Sequence, residues 1–278
     1  MKLIYTVSII LFFYVKIIFI VFFPAQGGDA GIYQLVADNI LRGCGVSLSP
    51  LNIHADLCIP HFGGNQGPGY PFFMSIIWKF SNHNDSWIRL SQALLYSLAA
   101  ARLIYSINVM SNNKKIFWIA TILLSFSPLT VAWPRYLQTE SLSLAITLVI
   151  IAELILSYKE KNLRYIKICL LFTLATWIRL DNIFLAAPIA LSSFLIHDFR
   201  TSLKKGLIIA ILFSIPWGLW TVRNINEGVR DIIPTDMIMP DGSKSPSGYL
   251  AWIKTWMTNE YEKPSSMWNV NRKIYSTT

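Results

Sequence analysis

The feature that most constrains this chain is a succession of apolar runs long enough to cross a lipid bilayer. A hydrocarbon core about 30 Å thick takes roughly 20 apolar residues as a helix, because only a helix satisfies its own backbone polar groups there. Read on that basis, the sequence predicts about seven spans, over Leu3–Phe23, Ile88–Val109, Ile116–Trp133, Ser141–Tyr158, Ile166–Ile178, Ile183–Ile196 and Leu207–Val222. The two runs flanking Arg179 are short for a span, and Tyr70–Phe80, about eleven residues, suits an interfacial or re-entrant helix. With 54% hydrophobic and only 14% charged residues in its 278, the chain is excluded from the soluble and the disordered classes. The expected fold class is all-α, a polytopic transmembrane bundle whose external loop, residues 24–87, carries interfacial helices.

Charge then orients the bundle. The excess of 24 Lys and Arg over 15 Asp and Glu reads as cytoplasmic loops and not as a nucleic-acid surface. Counting crossings from a cytoplasmic Lys2 places Lys114 and Lys115, then Lys159, Lys161, Arg164 and Lys167, then Arg200, Lys204 and Lys205 on the inside. Lys16 interrupts the first run, and its long stem is expected to reach the outer interface. A cleaved signal peptide fits less well, since the apolar run exceeds the usual core of about 7–15 residues. The outer face receives residues 24–87, the link 133–140, the turn Arg179-Leu180-Asp181 and everything after Arg223. Almost all the unusual polar residues therefore fall on one side. Residues 1–223 are expected to form the membrane domain. Residues 224–278, with Trp252, Trp256 and Trp268, are expected to form an external polar segment along the membrane surface.

Four groups on that face carry chemistry. Asp29, just beyond the first span, precedes a helical stretch that stops at Gly43, and it serves either as a helix cap or as a carboxylate at headgroup level. Glu140 opens a long helix beside Arg135, either complementing the helix dipole or holding substrate. Arg135, Arg179 with Asp181, and Arg223 with Asn224 present guanidinium groups, which fork onto phosphate oxygens and stabilise a departing phosphate without proton transfer. The fourth is the loop holding His54, Asp56, Cys58 and His61, which matches no strong zinc spacing; a metal site there and a Cys44–Cys58 disulfide both stay open.

The order of these features resembles a family. Gly28-Asp29-Ala30-Gly31-Ile32-Tyr33, Ala37-Asp38-Asn39-Ile40-Leu41-Arg42-Gly43, Gly67-Pro68-Gly69-Tyr70-Pro71, Thr139-Glu140, Arg179 with Asp181, and Pro216-Trp217 with Arg223-Asn224 are similar to motifs of the GT-C class of integral membrane glycosyltransferases. The likeness is closest to bacterial relatives of the dolichyl-phosphate-mannose protein mannosyltransferases and covers roughly residues 1–260. It implies inverting transfer of a sugar from a polyprenyl-phosphate donor to a glycan, lipid or protein acceptor at the outer, periplasmic face. It further implies a bacterial inner membrane, a cytoplasmic N-terminus and a role in protein glycosylation or lipopolysaccharide assembly at the cell envelope. Asp29 and Glu140 would be catalytic, and Tyr33, Tyr70, Arg135, Arg179, Asp181 and Arg223 would bind substrate. No cofactor is required, although a divalent metal is compatible with the class. Asp29 stands alone where many members carry two adjacent acids. Members are usually longer, so the resemblance also implies a truncated chain with the start of a missing C-terminal part after residue 224.

Two other readings compete with the enzyme. A transporter or flippase of a lipid-linked substrate places ionisable residues near the bilayer midplane, where Glu153 is the clear mid-helix acid. A truncated homologue would keep the fold without catalysis.

Overall fold

The computed structural model describes residues 2–23, 25, 30–47, 67–226, 236–238 and 244–246. The chain divides into two compact units, residues 1–229 and 230–278. Among the described residues of the first, ten α-helices follow one another: α1 (Lys2–Phe22), α2 (Ala30–Leu41), α3 (Gly69–Ser81), α4 (Asp85–Ser111), α5 (Lys114–Phe126), α6 (Pro128–Ala132), α7 (Thr139–Glu160), α8 (Tyr165–Ile178), α9 (Ala186–Ile196) and α10 (Phe199–Asn226). Single 3-10 segments, Trp133–Arg135 and Leu180–Leu185, precede α7 and α9. In the second unit, β1 (Asp236–Ile238) pairs antiparallel with β2 (Lys244–Pro246), Met237 opposite Ser245.

The first unit is an all-α membrane bundle. Among the described residues four helices, α1, α4, α7 and α10, are long and apolar enough to cross a bilayer, and the apolar stretches 165–178 and 180–196 are shorter. Large apolar side chains such as Ile10, Leu98, Ile122, Leu170, Leu195 and Leu219 are exposed around the bundle. In water such a surface would aggregate, and in lipid it is the solvated face.

The predicted run Ile116–Trp133 does not form one helix. Proline disfavours a helical predecessor, and Ser127, just before Pro128, is extended (φ −58°, ψ 125°), so α5 ends there and α6 starts afresh. The Thr130 hydroxyl donates to the carbonyls of Leu124 and Ser127 and satisfies acceptors freed by the break.

Helices α4 and α7 pack in parallel along the centre. Arg89 and Gln92 of α4 meet the segment just before α7 at one end, and Arg102 meets Glu153 further down both helices. The buried cluster around them contains Ala99, Ala100 and Ala101 of α4 and Ala145 and Ala152 of α7, and small side chains of this kind let helix backbones approach. Helix α1 runs antiparallel to α4, with Asn108 donating to the Tyr5 hydroxyl near the far end.

Lys16 departs from the sequence expectation. Its ammonium turns inward, 4.1 Å from the centre of the Tyr96 ring, and donates to the Phe12 carbonyl 3.5 Å away. An aromatic face and a carbonyl stabilise the charge locally, so the stem need not reach an interface.

Both ends of the bundle are polar, and we refer to the end where α2 and α3 lie as the head. At the opposite end the fully buried Glu153 carboxylate accepts from Arg102 (2.7 Å), Arg164 (2.9 Å) and Lys167 (2.8 Å). One carboxylate thus ties α4, α7 and α8 together.

Candidate functional site

At the head, Gln138 is extended and provides no side-chain cap, and α7 begins at Thr139. Glu140 on the first turn faces the end of α8. Arg179 is the residue that ends α8, in an extended conformation (φ −147°, ψ 124°) that carries its side chain off the helix. Its Nη1 donates to Glu140 Oε1 at 2.6 Å and to Thr139 Oγ1 at 3.1 Å, and its Nη2 donates to Asp181 Oδ2 at 2.7 Å. Burial works against the charge on this guanidinium, but the hydrogen bonds and charges of Asp181 and Glu140 outweigh it and hold its pKa above the ordinary value. The turn itself is pinned by Asn182, whose Nδ2 donates to the Ala175 carbonyl (2.7 Å) and to Ser143 Oγ (2.9 Å).

The Gly-Pro-Gly segment before α3 presses on this same turn. A Cβ at Gly67 would stand 1.8 Å from the Trp177 carbonyl oxygen, and one at Gly69 would stand 3.0 Å from the Ile178 nitrogen. Only glycine permits that approach. It fixes the start of α3, and with it Tyr70, against the end of α8.

Tyr70 is fully buried, with the Tyr33 ring edge-on at 5.0 Å. Its hydroxyl donates to Gln92 Oε1 (2.7 Å), and Gln92 Nε2 donates in turn to the carbonyls of Pro134 (3.3 Å) and Tyr136 (3.0 Å). A neighbouring group surrounds residue 135. Arg89 Nε donates to the Arg135 carbonyl (3.0 Å) and its Nη2 to the Ala25 carbonyl (3.4 Å). Arg135 donates to the Phe23 carbonyl (3.4 Å) and the Tyr136 hydroxyl (2.7 Å), while its buried Nε has no partner among the described residues.

An apolar cavity of about 570 Å³ opens beside these groups, between α3, α4, α7 and α8. Phe72, Phe73, Leu95, Leu142, Leu174 and Trp177 are among the side chains that line it. Ile178 also lines it and directly precedes Arg179, which places the charged cluster at the head end of the apolar groove.

Of the residues expected from sequence, the structure joins Glu140, Arg179 and Asp181 in one cluster and Tyr33 with Tyr70 in another. Arg135 belongs to the adjoining Arg89 group. Arg223 stands with the segment that follows α2, donating to the Val46 carbonyl (3.2 Å), and to Asn224 Oδ1 (3.0 Å). Asp29, and the loop residues His54, Asp56, Cys58 and His61, lie outside the described residues. Cys44 is disulfide-bonded and Cys169 is a free, buried thiol. Among the described residues no group of three or more His, Cys, Asp and Glu converges as a metal site would. Sequence reasoning passed over Arg89, Gln92 and Asn182. The first two were visible as polar positions three apart in an apolar run, the spacing that puts them on one helix face.

The family model for dolichyl-phosphate-mannose-protein mannosyltransferase matches residues 65–220, more than half of the chain. The match contains α3 to α9 and most of α10, with Tyr70, Arg135, Glu140, Arg179 and Asp181, and ends before Arg223. No curated protein and no solved structure gives a match. A helical membrane bundle with this match is an integral membrane protein of glycosyltransferase ancestry, and the chain belongs to the dolichyl-phosphate-mannose-protein mannosyltransferase family.

Proposed function

We propose that the protein transfers a sugar from a polyprenyl-phosphate carrier to an acceptor hydroxyl or amine at the head of the bundle, on the non-cytoplasmic side of the membrane. The observation that carries this reading is the position of the Glu140–Arg179–Asp181 cluster at the edge of the apolar groove. A lipid-linked donor combines those two chemistries. Its prenyl chain is apolar and fits between α3, α4, α7 and α8, while its phosphate and sugar need cations and hydrogen-bonding groups.

In the proposed reaction a carboxylate takes the acceptor's proton, and the acceptor atom forms a bond to the anomeric carbon from the face opposite the phosphate. The bond between that carbon and the phosphate oxygen breaks, so configuration inverts and polyprenyl phosphate leaves. Asp29 is the base in this scheme. The residue after it in the sequence, Ala30, is buried in the same cluster as Tyr33 and Tyr70. Glu140, held by Arg179, accepts hydrogen bonds from sugar or acceptor hydroxyls. Guanidinium charge stabilises the departing phosphate, so no nucleotide-binding domain is required.

The test is transfer of labelled sugar from a synthetic polyprenyl-phosphate donor in membranes containing wild type, Asp29→Asn or Glu140→Gln at matched protein levels. Loss of transfer in both variants supports the assignment. Transfer unchanged in Asp29→Asn removes it as base, and uptake of substrate into sealed vesicles without any glycosylated product replaces the enzyme with a transporter.

A further inference from the structure

Two polar side chains near the head take no part in the proposed reaction, Ser143 on α7 and Asn182 in the turn after α8. Ser143 is only 8% exposed and lies nearly one turn deeper than Glu140, about 4.5 Å further along α7. A polar group at that depth is costly unless it is hydrogen-bonded.

The two side chains satisfy each other. Ser143 Oγ stands 2.9 Å from Asn182 Nδ2 and 3.1 Å from Asn182 Oδ1. Nδ2 also donates to the Ala175 carbonyl at 2.7 Å, and because a carbonyl only accepts, that contact fixes which way the amide faces. The same carbonyl receives the Arg179 N–H at 2.9 Å, and the Asn182 N–H returns to the Arg179 carbonyl at 3.1 Å. The Asn182 side chain and the Arg179 backbone are thus one hydrogen-bonded unit.

Spacing extends the argument. Glu140 and Arg179 are 39 positions apart, and so are Ser143 and Asn182. Residues three apart on a helix share a face, so α7 grips the turn at two successive rungs, an ionic one in its first turn and a neutral one beneath it. An arginine side chain has several rotatable bonds, and the ionic rung alone leaves the turn free to swivel about it. The neutral rung removes that freedom. Neither Ser143 nor Asn182 lines the apolar groove, whose α7 wall is Leu142, Ala145, Ile146 and Val149.

We infer that Ser143 and Asn182 are a positioning pair: through Arg179 they fix the direction in which Glu140 presents its carboxylate, without touching the donor. The inference rests on the transferase reading above, and the experiment keeps the two apart.

The full chain in nanodiscs is assayed for sugar transfer from a synthetic polyprenyl-phosphate donor. In parallel, Glu140 is labelled with a carbodiimide and an amine and read by mass spectrometry, with Glu160, at the opposite end of α7, as the control. Asn182→Ala and Ser143→Ala should each lower kcat about 10- to 100-fold, as a displacement of up to about 1 Å implies, with donor KM nearly unchanged. The double variant should lose no more than the worse single one, because both remove the same rung. Labelling of Glu140 should rise several-fold in each, towards its level in Arg179→Gln, while Glu160 labelling stays constant. Unchanged Glu140 labelling in both variants overturns the inference, and so does a parallel rise at Glu160, which marks general loosening. Losses that multiply in the double variant overturn it as well, as does a donor KM that rises in step with the fall in kcat. Absence of transfer by wild type instead overturns the transferase reading, and Glu140 labelling then decides the positioning role by itself. Should Asn182→Ala fail to give monodisperse protein, Ser143→Ala decides the question.

Discussion

Replacing Gly67 by alanine tests whether the approach of α3 to the end of α8 sets the geometry of the site. The added Cβ would lie 1.8 Å from the Trp177 carbonyl oxygen and 2.6 Å from its carbonyl carbon. A relaxed carbon-to-oxygen contact needs about 3.3 Å, so one backbone must retreat by roughly 1.5 Å. Neither side is a flexible side-chain tip, and overpacking of this kind costs roughly 1–3 kcal/mol. Trp177 is two residues from Arg179, and Arg179 holds Glu140, so the displacement passes directly into the charged cluster. A misplacement near 1 Å lowers a positioned reaction about 100-fold. Gly218→Ala is the control, because a Cβ there meets nothing within 4 Å. Sugar transfer in membrane vesicles, normalised to protein, should fall about 100-fold in Gly67→Ala and stay near wild type in Gly218→Ala, with thermal stability in detergent lowered only in the former. Transfer in Gly67→Ala within two-fold (about 0.4 kcal/mol) of the control would falsify the reasoning.

The remaining predictions concern the charged groups. The Arg179 and Glu140 side chains are 32% and 29% exposed, between the fully buried and the surface cases, so a double-mutant cycle of Arg179→Gln and Glu140→Gln should give a coupling of about 1–3 kcal/mol in detergent unfolding; strict additivity would show that the pair is idle. Glu153→Gln leaves Arg102 and Lys167 without the only carboxylate they pair with among the described residues and should destabilise by about 3 kcal/mol, whereas an unchanged melting temperature would mean that water already screens the cluster. His197, in the turn between α9 and α10, accepts at Nε2 from Lys205 (2.7 Å) and from the Leu163 amide (3.4 Å), and both bonds require that nitrogen unprotonated. Desolvation and then the Lys205 charge lower its pKa below the ordinary 6.5. Its contribution is therefore fully present above pH 6.5 and is lost as pH falls through the lower folded value, so amide exchange at Leu163 should quicken in that window in wild type and be pH-independent, beyond intrinsic chemistry, in His197→Gln.

Reading order along the chain was enough to place several elements. Runs of about 20 apolar residues can be satisfied only as helices in lipid, so α1, α4 and α7 follow from composition and length. The stop after α2 was equally visible, because Gly43 takes a positive φ of 87° that other residues adopt at a cost. The break at Ser127 is also local chemistry, although a hydropathy reading across Pro128 conceals it. Glu140 and Arg179 could be chosen as a polar first turn and an interruption between apolar runs, since charge at a membrane boundary is expensive unless matched.

What the sequence determined by itself was the class of fold and the sorting of polar residues to helix ends, because both depend on local composition and on the solvent that lipid provides. Tertiary structure decided which charges neutralise one another. Asp181 stands two positions from Arg179 and was readable beside it, but nothing in the spacing of positions 89, 135, 140 and 179 says that Arg179 also takes Glu140 or that Arg89 is tied to the carbonyl of Arg135. Those two pairings join residues 39 and 46 positions apart and depend on how α4, α7 and α8 cross. The same holds for Lys16, whose direction was set by a ring on a different helix, at Tyr96. A charge in a low-dielectric bundle is governed by its nearest few ångströms, and those are supplied by packing and not by neighbours in the chain.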